Sequence, residues 1–135
     1  MRRLRIGTAG WSIPREVARA FPAEGSALER YAARLDAVEI NTTFYRPHMP
    51  RTFERWAAAT PPDFRFAVKL ARSVTHHARL SPTDEVLAAA VGQARMLGDK
   101  AGPLLVQLPP SLAFDASVAE RFFTRLRDLT SGPVV

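Results

Sequence analysis

The chain has 135 residues, 47% of them hydrophobic and 24% charged, which suits one domain with its own core. No apolar run approaches the ~18 residues that read as a membrane-spanning helix, and the absence of cysteine removes disulfides, thiolate nucleophiles and cysteine zinc sites. The formal net charge of +6 is carried almost wholly by scattered arginines, which suits either an anionic partner or an arginine-rich solvated surface.

The basic N-terminus from Met1 to Gly7 lacks the long apolar core of a signal peptide, so a cytoplasmic location is the default expectation. Leu4 and Ile6 alternate with arginines and predict a strand over Arg3–Thr8, which runs into Gly7-Thr8-Ala9-Gly10-Trp11-Ser12. An irregular connection lies between Pro14 and Pro22. Ser26-Ala27-Leu28-Glu29 matches a capping box and opens a helix through about Leu35, with Leu28, Tyr31, Ala32 and Leu35 as its apolar stripe.

The second predicted strand, Ala37–Ile40, points Val38 and Ile40 to one face and Glu39 and Asn41 to the other. Pro50 suits the first position of a helix carrying Phe53, Trp56 and Ala57, which Thr60-Pro61-Pro62-Asp63 ends. A third strand is predicted over Phe64–Leu70, with Phe66 and Val68 on one face and Arg65, Ala67 and Lys69 on the other. Arg72, Thr75, His76 and His77 occupy the loop beyond it.

Ser81-Pro82-Thr83-Asp84 supplies a capping serine, a proline at the first helical position and an acidic first turn. The helix it opens carries Val86, Leu87, Ala90, Val91, Ala94 and Leu97, with Gly98 as its stop. Leu104–Leu108 is apolar except for Gln107, as expected of a strand buried in a parallel sheet. Asp115 or Ser117 caps a last helix with Val118, Phe122, Leu126 and Leu129 as its buried stripe, and Pro133-Val134-Val135 opens a fifth strand.

Four strand–helix units of about 30 residues predict a parallel α/β sheet, either open and doubly wound or part of a barrel. No phosphate-loop or dinucleotide glycine pattern is present, and the sequence names no cofactor.

Five blocks carry a signature: Ile6-Gly7-Thr8-Ala9-Gly10-Trp11-Ser12, Val38 through Arg46, Phe64 through Lys69, Arg72-Ser73-Val74-Thr75-His76, and Gly102 through Pro110. In this order and spacing the chain resembles the YecE-like family, a domain of unknown function. Ala9 and Ile13 depart from the family's usual serine and aromatic. The resemblance implies a TIM-barrel-like (β/α)₈ fold of which this chain supplies about four of eight units, a half barrel over residues 1–135. Under that expectation the chain is a truncated domain, inactive by itself, or two copies form a homodimer that completes the barrel.

Barrel enzymes place their working groups at the carboxyl ends of the strands. That end would hold Glu39, Lys69 and His76 as candidate catalytic residues, with Trp11, Asn41, Tyr45, Arg46, Arg72, Thr75 and Gln107 as candidate binding residues. Trp11 and Tyr45 fit ligand stacking or packing at the barrel mouth alike. Glu39 and Lys69 fit a buried ion pair or a tuned acid/base pair, and Lys69 also fits a Schiff base. His76 and His77 point apart in an extended segment, so a shared metal is disfavoured; a metal held by Glu39 and His76 rests on analogy with other barrels.

Arg46, Arg72 and His76 make an anion-binding set. The expected partner is therefore a small anionic or phosphate-bearing ligand, with phosphodiester or sugar-phosphate chemistry in the full-length form. The alternative is a non-catalytic module binding nucleic acid or a protein. Salt dependence separates the two, because an extended nucleic-acid contact weakens steeply with salt. No membrane partner is expected.

Overall fold

The computed structural model describes residues 3–135, so Met1 and Arg2 of the basic N-terminus lie outside the described residues. Three parallel strands, β1 (Ala37–Ile40), β2 (Arg65–Lys69) and β3 (Ala101–Leu105), form a sheet in the order β1-β2-β3. Ala9 adds a parallel bridge to Glu39 outside β1, and Val134 adds one to Leu104 outside β3. Five parallel segments therefore succeed one another across the sheet in sequence order, with no reversal of direction. A doubly wound sheet would reverse at its switch point.

Alternation sets the two faces. Val38, Ile40, Phe66, Val68 and Leu104 are buried, while Glu39, Ala67, Lys69 and Leu105 are half-buried on the other face. The buried face belongs to one core with α1 (Ala27–Ala32), α2 (Pro50–Ala58), α3 (Asp84–Arg95) and α4 (Ala116–Leu129). Leu28, Tyr31, Phe53, Leu87, Val91, Phe122 and Leu126 are their buried contributions. Each such side chain contributes roughly 1.5–3 kcal/mol relative to exposure.

Caps decide where these helices begin. Ser26 and Glu29 form the expected capping box on α1, and the hydrogen bonds from the Ser26 backbone and side chain hold the Glu29 carboxyl below its usual range. Asp115 accepts from the Ser117 and Val118 amides at the start of α4. The start of α3 differs from expectation. Thr83, not Ser81, is the cap, accepting from the Val86 amide, so Asp84 rather than Pro82 begins the helix. Pro82 is buried upstream, and its carbonyl accepts from Arg125 at 2.9 Å.

Other boundaries shift for identifiable reasons. The helix expected through Leu35 ends at Ala32, and a 3-10 helix, Arg15–Ala20, occupies the connection expected to be irregular. α3 ends at Arg95, with Met96 as its cap, and Gly98, at φ 56°, begins a separate 3-10 turn to Lys100. The strand expected at Leu104–Leu108 begins earlier, at Ala101, because Ala101 already pairs with Phe66. Gly102 permits this approach: a Cβ there would stand 2.9 Å from the Phe66 carbonyl oxygen. Val106 continues the pairing through its amide to the Val135 carbonyl at 2.8 Å.

The strand expected over Arg3–Thr8 does not form. Side chains take its amide hydrogen bonds: the Ile6 amide donates to Asp36 Oδ1 at 2.9 Å and the Thr8 amide to the Tyr31 hydroxyl at 2.8 Å. Arg3 and Arg5 pair with Asp36, and Arg3 also with Asp63. Ladder pairing is confined to Thr8–Gly10, whose Thr8 carbonyl and Gly10 amide bond the Glu39 backbone at 3.0 and 2.9 Å.

Candidate functional site

The parallel strands place the loops after β1 and β2 at the same end of the sheet. After β1 the chain turns at once through a 3-10 helix, Thr42–Phe44. Thr43 fastens this turn: its buried hydroxyl donates to the Lys69 carbonyl at 2.8 Å and also contacts the Ile40 carbonyl. The loop after β1 is thereby tied to the carboxyl end of β2, and Phe44 is set beside Lys69.

Three side chains converge on Phe44. Its ring meets Tyr45 edge-on at 5.0 Å and His76 at 4.9 Å between centroids, and the Lys69 ammonium lies 4.7 Å from its centre. The Arg72 guanidinium lies 5.7 Å from the Tyr45 ring, which is 60% exposed. Such cation–ring contacts hold the charge in place without neutralising it. Among the described residues, ion pairs join only Arg3, Arg5 and Arg125 to Asp36, Asp63 and Asp84. Lys69, Arg72 and Arg46 therefore have no carboxylate within 4.0 Å among those residues.

The segment expected as an extended loop after β2 is a π-helical turn, Ser73–His77. Val74 and Thr75 point into the core, so Thr75, a candidate for ligand binding, is fully enclosed and its hydroxyl meets His76 Nδ1 at 2.9 Å. The turn closes through Arg79 and Leu80 at φ 48° and 67°, a left-handed conformation that costs side-chain-bearing residues on the order of 1 kcal/mol each. Burial of Leu80 and the bonds from Arg79 to Ser111 hold it there.

These elements enclose a cleft of about 420 Å³ between the β1 and β2 loops and α3. Of the sequence candidates it brings together Tyr45, Arg46, Lys69 and Arg72. Phe44, His77 and the α3 residues Val86, Ala89, Ala90 and Gln93 also line it. Trp11, Glu39, Asn41, Thr75, His76 and Gln107 are not among the lining residues.

Each of these has a definite place. Trp11 packs edge-on against Trp56 at 5.1 Å, joining an aromatic group with Phe53 and His48. Glu39 stands beside Ala9 and Ala67 in the sheet and forms no ion pair with Lys69, because its register partner on β2 is Ala67 and Lys69 leans over Phe44 instead. Gln107 is exposed beyond β3. The Asn41 side-chain oxygen is buried without a hydrogen-bond partner among the described residues, a state that costs free energy until a donor reaches it. No group of three or more His, Asp or Glu suited to holding a metal comes together among the described residues.

Sequence reasoning alone misses His48, Thr43 and Gln93. The His48 amide donates to Gln93 Oε1 at 2.7 Å and its Nε2 meets the Thr42 hydroxyl at 2.7 Å. Its ring packs edge-on against Trp56 and Phe53. Burial, and then the nearby Arg46 charge, lower the His48 pKa from the ordinary value of 6.5, which favours the neutral ring. A lone histidine between two prolines carries no periodic signal; only its partner on α3, 45 residues away, reveals its role in fixing the loop.

The family model for "Protein of unknown function DUF72" matches residues 5–134. The chain is 33% identical over 104 residues to UPF0759 protein YecE of Escherichia coli (strain K12), covering 77% of this chain and 37% of that protein. It is 31% identical over 74 residues to UPF0759 protein YunF of Bacillus subtilis (strain 168), covering 55% and 26%. A crystal structure of a DUF72 family protein from Enterococcus faecalis V583 superposes with a TM-score of 0.75 at 20% identity, covering 96% of this chain and 48% of that one. One from Thermotoga maritima MSB8 superposes with a TM-score of 0.70 at 27% identity, covering 96% and 53%. The chain thus spans little more than a third of the YecE protein and about half of the solved chains.

Proposed function

This chain belongs to the DUF72 family, and from that premise we propose that its cleft binds a small anionic, phosphate-bearing ligand. The observation that carries the reading is the pair of cations over aromatic rings, Lys69 on Phe44 and Arg72 on Tyr45, with Arg46 beside them and no acidic partner among the described residues. Uncompensated, pre-positioned cations at one cleft favour an anion by charge and by geometry. The cleft volume of about 420 Å³ lies within the range of small-molecule sites.

The reading includes an architecture. Five parallel segments in sequence order are the arrangement of consecutive strands in a (β/α)₈ barrel, and the cleft lies at the carboxyl end, where barrels carry their ligands. In that setting the full-length protein would act on a phosphate ester whose phosphate is held by Lys69 and Arg72.

Calorimetric titration of the chain with inorganic phosphate and a phosphate monoester tests this. Binding that falls at least tenfold in Lys69→Ala and Arg72→Ala, with unchanged melting temperatures, is the expected result. Affinity unaffected by either substitution removes the reading. Preference instead for a single-stranded oligonucleotide, with a steep loss between 50 and 200 mM salt, would favour an extended nucleic-acid contact.

A further inference from the structure

The two sides of the cleft differ in chemistry. The loops after β1 and β2 supply Lys69, Arg72 and Arg46, whereas α3 supplies Val86, Ala89 and Ala90. Val86 is 37% exposed and Ala89 is exposed, so the helix presents a bare aliphatic surface across from the cations.

Gln93, the polar side chain that α3 adds to the lining, is tied to the His48 backbone. Gln93 Oε1 accepts from the His48 amide at 2.7 Å, and its Nε2 donates to the His48 carbonyl at 3.4 Å. A sugar laid against Val86, Ala89 and Ala90 would bring hydroxyls to aliphatic carbon, and each hydroxyl desolvated without a partner is penalised. An aromatic or aliphatic body would lose nothing there and would gain from burial. The exposed Tyr45 ring adds a surface on which a planar group can stack.

We infer that the ligand is an amphipathic anion, a phosphate joined to an aromatic body, its phosphate on Lys69 and Arg72 and its ring between Tyr45 and the Val86–Ala90 face of α3. This rests on the anion reading above and narrows it away from a bare sugar phosphate.

Phenyl phosphate, glucose 6-phosphate and inorganic phosphate are titrated against the intact chain. Phenyl phosphate is expected to bind about tenfold more tightly than the other two, since burying one ring face is worth roughly that factor. Ala89→Glu, which puts a carboxylate on an exposed helix position, is expected to weaken phenyl phosphate strongly while circular dichroism and melting temperature stay unchanged. Ala89→Gln, an uncharged substitution at the same site, keeps a steric effect distinct from a charge effect, and weakens phenyl phosphate more than inorganic phosphate.

If all three ligands bind equally and all lose affinity in Lys69→Ala and Arg72→Ala, the anion site stands and the aromatic body is overturned. If no ligand binds, or binding ignores Lys69 and Arg72, both inferences fall together.

Discussion

The ammonium of Lys69 lies 4.7 Å from the centre of the Phe44 ring, although the two residues come from different strand–helix units. The Thr43 hydroxyl, donating to the carbonyl of Lys69 itself, brings the two backbones together and sets the ring within reach of the ammonium. A bond to the backbone thus positions the ring, and the ring holds the charge.

Phe44→Leu keeps the position apolar but removes the ring that holds the cation. Phosphate-ester affinity should fall about two- to fivefold, the worth of one exposed cation–ring contact. Calorimetric titration with phenyl phosphate reads the change; an unaltered affinity would show that Lys69 is placed by something else.

Tyr31 is 1% exposed, yet its hydroxyl accepts from the Thr8 amide and donates to the Ala37 carbonyl at 2.9 Å. Tyr31→Phe leaves both groups without their partner, and should lower unfolding free energy by about 1–3 kcal/mol. Urea denaturation detected by tryptophan fluorescence measures it, since the contact between Trp11 and Trp56 is lost on unfolding.

At Gly7 an added Cβ would stand 2.0 Å from the Ala37 carbonyl oxygen. Gly7→Ala must push the N-terminal segment away from β1, at a cost of about 1–3 kcal/mol in overpacking. Faster amide exchange at Gly10 and Glu39 than in the parent chain is the accompanying local signature.

His48 carries a pH prediction. Its folded pKa is lowered from 6.5 by burial and then by Arg46, so the unfolded chain binds the proton more readily. The group's contribution is full above about pH 6.5 and is lost as pH falls from there through the lowered folded value. Melting temperatures between pH 5 and 7 should decline toward acid in the parent chain and decline less in His48→Gln. Equal slopes in both would place the effect elsewhere. The Glu29 and Asp115 carboxyls, both held below the ordinary carboxylate range by hydrogen bonds, act at more acidic pH than this window.

Much of the fold could be read from the chain because local physics specifies it. Ala37–Ile40 is a strand as expected, since the alternation of Val38 and Ile40 with Glu39 has one face to bury. The capping box at Ser26 and the cap at Asp115 rest on side-chain oxygens within a few residues of their amides. Arg3–Thr8 misled because alternation describes a face and not a hydrogen-bond partner; Asp36 and Tyr31 answer those amides from 23 to 30 residues away.

The candidate site divides along the same line. Lys69, Arg72, Arg46 and Tyr45 could be placed by strand polarity alone, because every loop after a parallel strand emerges at one end. Thr75 could not, since the π-helical turn that buries it depends on Val74 entering the core and on left-handed residues at Arg79 and Leu80. Phe44 was hidden for a related reason: a phenylalanine after a strand reads as core, and only the Thr43 bond turns it toward a charge.

Among the described residues, all those lining the cleft fall between Thr43 and Gln93, within two successive strand–helix units. Its walls are nevertheless joined across long stretches of chain, Thr43 to Lys69 over 26 residues and His48 to Gln93 over 45, so assembling the cleft means closing loops of that length before its contacts form. The later elements still brace those walls, because Ser111 holds Arg79 at the end of the turn after β2 and Arg125 of α4 holds Pro82 and Asp84 at the start of α3, so a substitution far along the chain can reach the cleft through these bonds.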